Sequence, residues 1–493
     1  MTTYDLIVIG GGVNGAGVAR DAAGRGASVL LLEKGDLASG TSSKSTKLVH
    51  GGLRYLEYYE FALVREALGE RDVLWSIAPH IVRPMRFVLP VTRGMRPRWM
   101  LRAGLFLYDH IGGRDAFRNA RSVRLDSHPA GAPLEARCTH AFEYSDGWVD
   151  DARLVVLNAL DAAEHGADIR PRCEVLAARR EGGEWAVETT GGRFRGRALV
   201  NAGGPGADDV AGLAAERPAY GIRRVRGSHI VVPRLFDHDY AYILQQPDTR
   251  ICFAIPWEGD FTLIGTTDAD HAGSLDEVEA SAAEVRYLCD AANRYFERDV
   301  TPGDVVHSFA GVRALVDDGT GRPEAATRGY RISLSEEGEG APLVGIWGGK
   351  ITSYRHVAED ACDKLAQRLP VLDKAHWTAE APLPGGDFGR TAQHHLIGAL
   401  KELYPFLDHR DVVRIGRAYG TRAGDWLGEA AGWDDLGRQF GCGLSEAEVE
   451  YLRRNEWAVS AEDVLWRRTK LGLHMSAAEV AGLESYLAAT RSP

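Results

Sequence analysis

Gly10, Gly12 and Gly15 in "IGGGVNGAG" have the spacing GxGxxG, after a short β-branched strand and at the start of a helix rich in small residues. That pattern gives a tight turn, brings backbone amides close to a pyrophosphate, and lets helix pack closely on strand. Asn14 stands inside the turn, and Glu33 ends the next strand, "ASVLLLEKG", at the spacing of an acid that takes ribose hydroxyls. Two later glycine turns repeat the theme: "NAGGPG" with Gly203, and "GGKITSYR", where Gly348, Gly349, Lys350, Ile351 and Thr352 open a helix. A helix start offers free amides and partial positive charge to an anion.

FAD and NAD share the first motif. Three features favour FAD: the motif's place at the extreme N-terminus, the polar stretch with Thr41, Ser42 and Ser43 after the second strand, and the late glycine turn. That turn suits the pyrimidine end of a flavin, whose reduced form is anionic. Beyond the polar stretch, Gly51-Gly52 precede Arg54-Tyr55. A glycine pair allows close approach to a flat group, and a neighbouring arginine suggests an anion beside it. Arg313, Arg328 and Lys350 also flank strand ends or glycine turns. An anionic substrate held by forked guanidinium donors explains them jointly, while for each alone a structural ion pair explains it equally well. His229 in "RGSHIVVP" has two readings, a structural histidine or a base that takes a hydroxyl proton.

The elements that must carry these residues are legible around them. Strand, helix and strand over the first 35 residues open a parallel sheet, and 197–210 and 342–366 continue it. The expected FAD-binding domain is discontinuous: about 1–80, 150–220 and 305–375, within 1–375. A cap of antiparallel strands, about 81–149 and 221–304, is interleaved with it, and includes a hairpin around Trp257-Glu258-Gly259-Asp260. From about 388 to 493 the pattern is helical, with capping boxes or close variants at Ser445, Ser460 and Ser476. The expected fold is α/β, with a Rossmann-like FAD-binding domain, an antiparallel substrate domain and a C-terminal all-α domain.

Composition sets bounds. A net charge of -11 argues against nucleic acid or anionic membrane as a general partner. Six scattered cysteines without a CxxC pair indicate no zinc site, iron-sulfur site or disulfide framework, and fit reduced thiols in a cytosolic setting. The chain runs from Met1 into "YDLIVIGGG" without an export signal, and no apolar run reaches the roughly 20 residues of a spanning helix.

Taken in order, "DLIVIGGGVNGAG", "TSSKSTKLVHGGLRYLE", "FEYSDGWVDDARLV", "YGIRRVRGSHIVVP", "IPWEGDFTLIGTTD", "GVRALVDD", "GGKITSYR", "LPGGDF" and "DVLWRRTKLGL" resemble the successive signatures of the FAD-dependent glycerol-3-phosphate dehydrogenase family. The resemblance implies oxidation of sn-glycerol 3-phosphate to dihydroxyacetone phosphate, with hydride passing from C2 to the flavin and electrons to membrane quinone. It implies that Arg54, Tyr55 and Arg328 hold the phosphate or neighbouring oxygens, and that His229, Thr267, Arg313 and Lys350 surround the reacting end. Gly51 and Gly52 would then pass close to the flavin. It also implies a cytoplasmic protein, peripheral on the inner face of the cell membrane, and a homodimer.

Two places depart from the family pattern. "NAGGPG" has glycine at 203 and 206 where "NATGPW" is common, and Lys44 stands where a small residue is expected. Residues 83–114 are basic and interleave Trp99, Met100, Leu101, Leu105, Phe106 and Leu107 with arginines. Such a segment lies in a bilayer interface or packs on the body with its arginines solvated. Three alternative functions stay open: a hydrogen-peroxide-forming glycerophosphate oxidase, an amine or amino-acid oxidoreductase of the same fold, and a flavin-binding protein without turnover.

Overall fold

The computed structural model describes residues 3–53, 56, 59–92, 96–111, 117–317, 329–335 and 340–490. Strand Thr3–Ile9 lies at the centre of the first sheet, because Leu6, Ile7 and Val8 are apolar on both faces and each face is covered. It pairs in parallel with Val29–Leu32 on one side and Gly192–Asn201 on the other, and Leu343–Gly348 extends the parallel run. Asp168–Arg170 closes one edge in parallel, and Tyr330–Ser335 closes the other antiparallel. Helix Val13–Gly24 packs on helices Asp151–Glu164 and Tyr354–Ala366, so its small residues sit where three helices meet. Gly17 and Gly24 permit this: a Cβ at Gly17 would stand 2.8 Å from the Tyr354 ring, and one at Gly24 would stand 1.9 Å from Trp377.

Among the described residues the second sheet has ten strands. Its spine is Gly221–Pro233, paired antiparallel with Phe261–Gly265 on one edge. The hairpin of Ile251–Trp257 with Phe261–Gly265 turns through Glu258 and Gly259, both with positive φ. Two features differ from the expectation. Ala241–Gln245 runs parallel to Val82–Pro90, so the cap sheet is mixed. Strand His307–Asp317, assigned from sequence to the nucleotide domain, pairs with the spine from Gly221 opposite Asp317 to Val231 opposite His307. It belongs to the cap sheet.

The C-terminal region is helical apart from a short ladder of Gln439–Gly441 with Leu444–Ser445. Ser445 and Ser476 cap helices Glu446–Asn455 and Ala477–Ala489, accepting from Glu448 N and Glu479 N. Ser460 makes the same reciprocal bonds with Asp463, but the turn that follows, Asp463–Arg468, is a π-helix. All six cysteines are free thiols. Among the described residues no helix is long and apolar enough to cross a membrane, and no cluster of side chains could hold a metal ion.

Candidate active site

A cavity of about 1670 Å³ runs from the carboxyl ends of the parallel strands to the inner face of the cap sheet. Ligands of open α/β sheets bind at that end of the strands, and a volume above the roughly 300–1,000 Å³ of ordinary ligand pockets suits a dinucleotide plus a substrate.

The nucleotide side is built from backbone. Gly10 has φ +117°, and a Cβ there would lie 2.5 Å from the Ala202 carbonyl. A Cβ at Gly15 would lie 1.8 Å from the Gly10 carbonyl, so this glycine serves helix-on-strand contact and does not itself line the cavity. Glu33 accepts from Gly11 N at 2.6 Å and Gly35 N at 2.7 Å, which fixes its carboxylate at the cavity wall. Burial raises its pKa against the lowering effect of those two amides. Asn14 donates to Gly348 O at 3.3 Å and so bridges the first and last glycine turns. Its Oδ1 is buried without a protein partner. Ser42 Oγ accepts from Val13 N at 3.0 Å, and Thr41 Oγ1 donates to Val312 O at 2.6 Å. Gly203, Gly348, Gly349, Lys350, Ile351 and Thr352 line the same cavity. A cradle of amides at two helix starts, a carboxylate fixed at the cavity wall and an orphaned amide oxygen fit FAD.

The opposite wall is built from side chains of the cap sheet. His229, 1% exposed, stacks on Phe309 and has its Nε2 2.9 Å from Thr46 Oγ1, while its Nδ1 has no partner. Burial, then the nearby charges of Arg313 and Lys47, hold the imidazole well below its usual pKa, so it is neutral at physiological pH. Arg313 donates to Thr266 Oγ1 at 2.9 Å and pairs with Asp268. The cross-strand neighbour of His229 must be glycine, because a Cβ at Gly265 would lie 2.0 Å from its ring; a Cβ at Gly227 would lie 2.6 Å from the Arg313 guanidinium and displace it. Beneath this wall the buried Lys47 ammonium bonds Asp151 at 2.8 and 3.0 Å, and Ser45 Oγ bonds the same carboxylate at 2.7 Å. Removing one partner of such a buried pair costs about 3–5 kcal/mol, so the polar stretch is firmly anchored.

Several positions inferred from sequence lie elsewhere. Thr267 is behind the wall, accepting from Ser228 N and donating to Glu284; Thr266 and Asp268, one residue to either side, face the cavity. Gly51 packs against Leu68 and the Tyr108 hydroxyl, and Gly52, with φ +72°, is the one of the pair on the cavity wall. Ser43 also stands off the cavity, which Ser42, Lys44 and Ser45 line. Arg54, Tyr55 and Arg328 lie outside the described residues. Sequence reasoning missed Thr46, the partner of His229, and His50, a cavity-lining histidine whose pKa burial lowers and which feels the charge of Lys350. The signal for His50 was its place directly before the glycine pair.

Comparison with known proteins places this architecture. Residues 5–355 match the family described as "FAD dependent oxidoreductase", and residues 376–488 match the "C-terminal domain of alpha-glycerophosphate oxidase". The chain is 51% identical over 484 residues to the D-erythritol 1-phosphate dehydrogenase of Brucella abortus, covering 97% of this chain and 96% of that one. It is 49% identical to the glycerol-3-phosphate dehydrogenase of Pseudomonas aeruginosa, covering 98% and 95%. Identity to the aerobic glycerol-3-phosphate dehydrogenase of Escherichia coli is 45%, covering 99% and 98%. Among solved structures, the FAD complex of the Bacillus halodurans glycerol-3-phosphate dehydrogenase superposes with a TM-score of 0.74 at 24% identity, covering 99% and 94%, which shows a shared fold. With cradle, cavity and both matched regions in one chain, this protein belongs to the FAD-dependent oxidoreductase family, in the branch that carries the C-terminal domain of α-glycerophosphate oxidase.

Proposed function

We propose that the protein oxidises sn-glycerol 3-phosphate to dihydroxyacetone phosphate and passes the electrons to membrane quinone. The observation that carries this reading is a buried, neutral His229 with one ring nitrogen unpartnered, on a cavity wall shared with Arg313 and opposite the FAD cradle. Oxidising a secondary alcohol removes a hydride from carbon and a proton from oxygen. FAD, when bound, supplies the acceptor for the hydride. His229 takes the hydroxyl proton, with Thr46 fixing the ring, and a neutral imidazole is the form able to do so. Arg313 and Lys350 supply positive charge around the substrate oxygens and favour the alkoxide character that develops as the proton leaves. Arg54, Tyr55 and Arg328 are assigned to the phosphate by family resemblance.

The acceptor side is supported by the cavity's other end. Its lining there includes Leu53, Leu63, Met100, Leu101, Leu107 and Tyr59, which is 80% exposed, and Trp99, next to Met100 in the chain, is 73% exposed. Phe61, Phe106 and Leu107 are exposed on the same two packed helices, Phe61–Ile77 and Arg98–Ile111. An apolar mouth of this kind fits a peripheral seat on the inner face of the cell membrane and entry of a lipid-soluble quinone.

A second reading is favoured by the 51% identity to a D-erythritol 1-phosphate dehydrogenase, a four-carbon polyol phosphate enzyme by name. In either reading a polyol phosphate is oxidised at an alcohol carbon, and the four-carbon ester carries one more CHOH unit. Steady-state turnover with a quinone analogue, over sn-glycerol 3-phosphate, D-erythritol 1-phosphate and small amino acids, tests the choice. The highest kcat/KM is expected for sn-glycerol 3-phosphate; a higher value for the four-carbon ester installs the second reading, and turnover of an amino acid alone sinks both.

A further inference from the structure

The C-terminal domain meets the cofactor domain through the π-helical turn Asp463–Arg468. Thr469 N donates five residues back to Val464 O at 3.0 Å, and the Thr469 hydroxyl reinforces it at 2.7 Å. Such wide turns are rare and concentrate at functional sites. Here the turn directs two consecutive arginines at one carboxylate. Asp36 Oδ2 accepts from Arg467 Nε at 2.6 Å and from Arg468 Nη1 at 2.7 Å, and Oδ1 accepts from Arg468 Nη2 at 2.9 Å. The cluster is buried, with Asp36 3% and Arg468 0% exposed. On the same turn Asp463 pairs with Arg467 and, at 2.5 Å, with Arg172, two residues past the edge strand of the cofactor sheet. Burial would raise the Asp463 pKa, but the amides of Val459 and Ser460, together with Arg172 and Arg467, hold it at about 2.

Asp36 sits in the loop between strand Val29–Leu32 and the turn Thr41–Ser43. Around it, Glu33, Lys34, Ala38, Ser39, Gly40 and Thr41 line the cofactor cavity. The loop's backbone is tied to the first glycine turn through Ala38 N to Gly11 O at 3.0 Å, and to Arg172 N through Gly35 O at 2.8 Å. The C-terminal domain therefore grips, through one buried carboxylate, the loop that carries the ribose-binding acid. Glu462, beside the π-turn, lines the cavity too.

We propose that Arg467 and Arg468 are positioning residues for the cofactor: by fixing Asp36 they hold the 33–42 loop ready for FAD, so that docking of the C-terminal domain and FAD binding are coupled. Coupling of this kind is reciprocal, so FAD in turn tightens the docking. It involves only the cofactor and is independent of which alcohol phosphate is oxidised.

The test compares full-length wild type, Asp36→Asn and Arg422→Ala. Arg422 joins the C-terminal domain to Glu164 at 2.6 Å, away from the loop, and serves as the control. FAD titration of deflavinated protein should show Asp36→Asn weakened on the order of tenfold, within the range usual for coupled sites, and Arg422→Ala unchanged. Hydrogen exchange should show FAD slowing the amides of 463–470 in wild type and in Arg422→Ala, and slowing them less in Asp36→Asn. Should Asp36→Asn fail to fold, Arg467→Lys keeps the charge while losing the fork, and should give a smaller loss of FAD affinity. Wild-type exchange in 463–470 that is indifferent to FAD, or wild-type FAD affinity in Asp36→Asn or Arg467→Lys, overturns the proposal.

Discussion

The two walls of the cavity are made differently. The cofactor wall consists of backbone amides at glycine turns, whose direction is set by strand-to-helix geometry within a few residues of sequence. The cap wall consists of His229 and Arg313, brought together by pairing between Gly221–Pro233, Phe261–Gly265 and His307–Asp317, with Thr46 reaching His229 from the polar stretch that Lys47 and Ser45 anchor to Asp151. The first wall is intolerant of added volume where the chain turns tightly, at Gly10 and Gly15; the second depends on which face of a strand each residue occupies. Binding and chemistry should therefore separate under mutation.

The strongest disruption belongs to the helix-on-strand contact that supports the cofactor wall. Gly15→Val places its Cβ on the Gly10 carbonyl, where neither backbone can give way. The variant should purify without bound flavin and lose about 3 kcal/mol or more of stability, as overpacked sites do; absorbance near the flavin bands and a denaturation curve check both. A yellow, stable Gly15→Val would show that the cradle is looser than its geometry. On the cap wall, His229→Asn should keep full flavin content while kcat falls on the order of 10²–10⁴-fold, the usual worth of a general base. Loss of flavin in that variant would erase the division between the walls.

The pH dependence probes the cap wall alone. Because its pKa is depressed, His229 is already unprotonated at neutral pH and stays so as the pH falls through the ordinary histidine range. The acid limb of kcat/KM that His229 governs should lie well below the usual histidine value of about 6.5. A limb near that value, abolished in His229→Asn, would mean that the ring is solvated during turnover. The mildest change is expected at Gly206, where an added Cβ would meet only Leu275 at 3.6 Å and Asp209 at 3.7 Å. Gly206→Trp, which installs the residue common in the family turn, should change stability by no more than about 0.5 kcal/mol. A large loss of stability would show that this stretch of wall is already filled.

What could be read from sequence follows the same line. The cradle was legible because its glycines are demanded by the local strand-to-helix turn, as Gly10 is by its positive φ. The cap wall was legible only in part. Thr267 was the residue inferred, but in the unpaired stretch between strands Phe261–Gly265 and Ala269–Asp270 it turns toward Glu284, and Thr266 and Asp268 face the cavity, an orientation no repeating pattern announces. Gly51 looked like a flavin contact and is instead demanded by Leu68 and Tyr108, partners some distance away in sequence. The box at Ser460 announced a helix, yet the pull of Asp36 on two adjacent arginines accompanies a π-turn that local propensity does not encode.

Everything above converges on an alcohol phosphate delivering electrons to the flavin held between these two walls. The decisive measurement is to add sn-glycerol 3-phosphate to the purified holoprotein without oxygen and follow the visible flavin absorbance. Rapid bleaching is the expected result. An oxidised spectrum that persists with this substrate, while a chemical reductant bleaches it, would rule out sn-glycerol 3-phosphate as the electron donor.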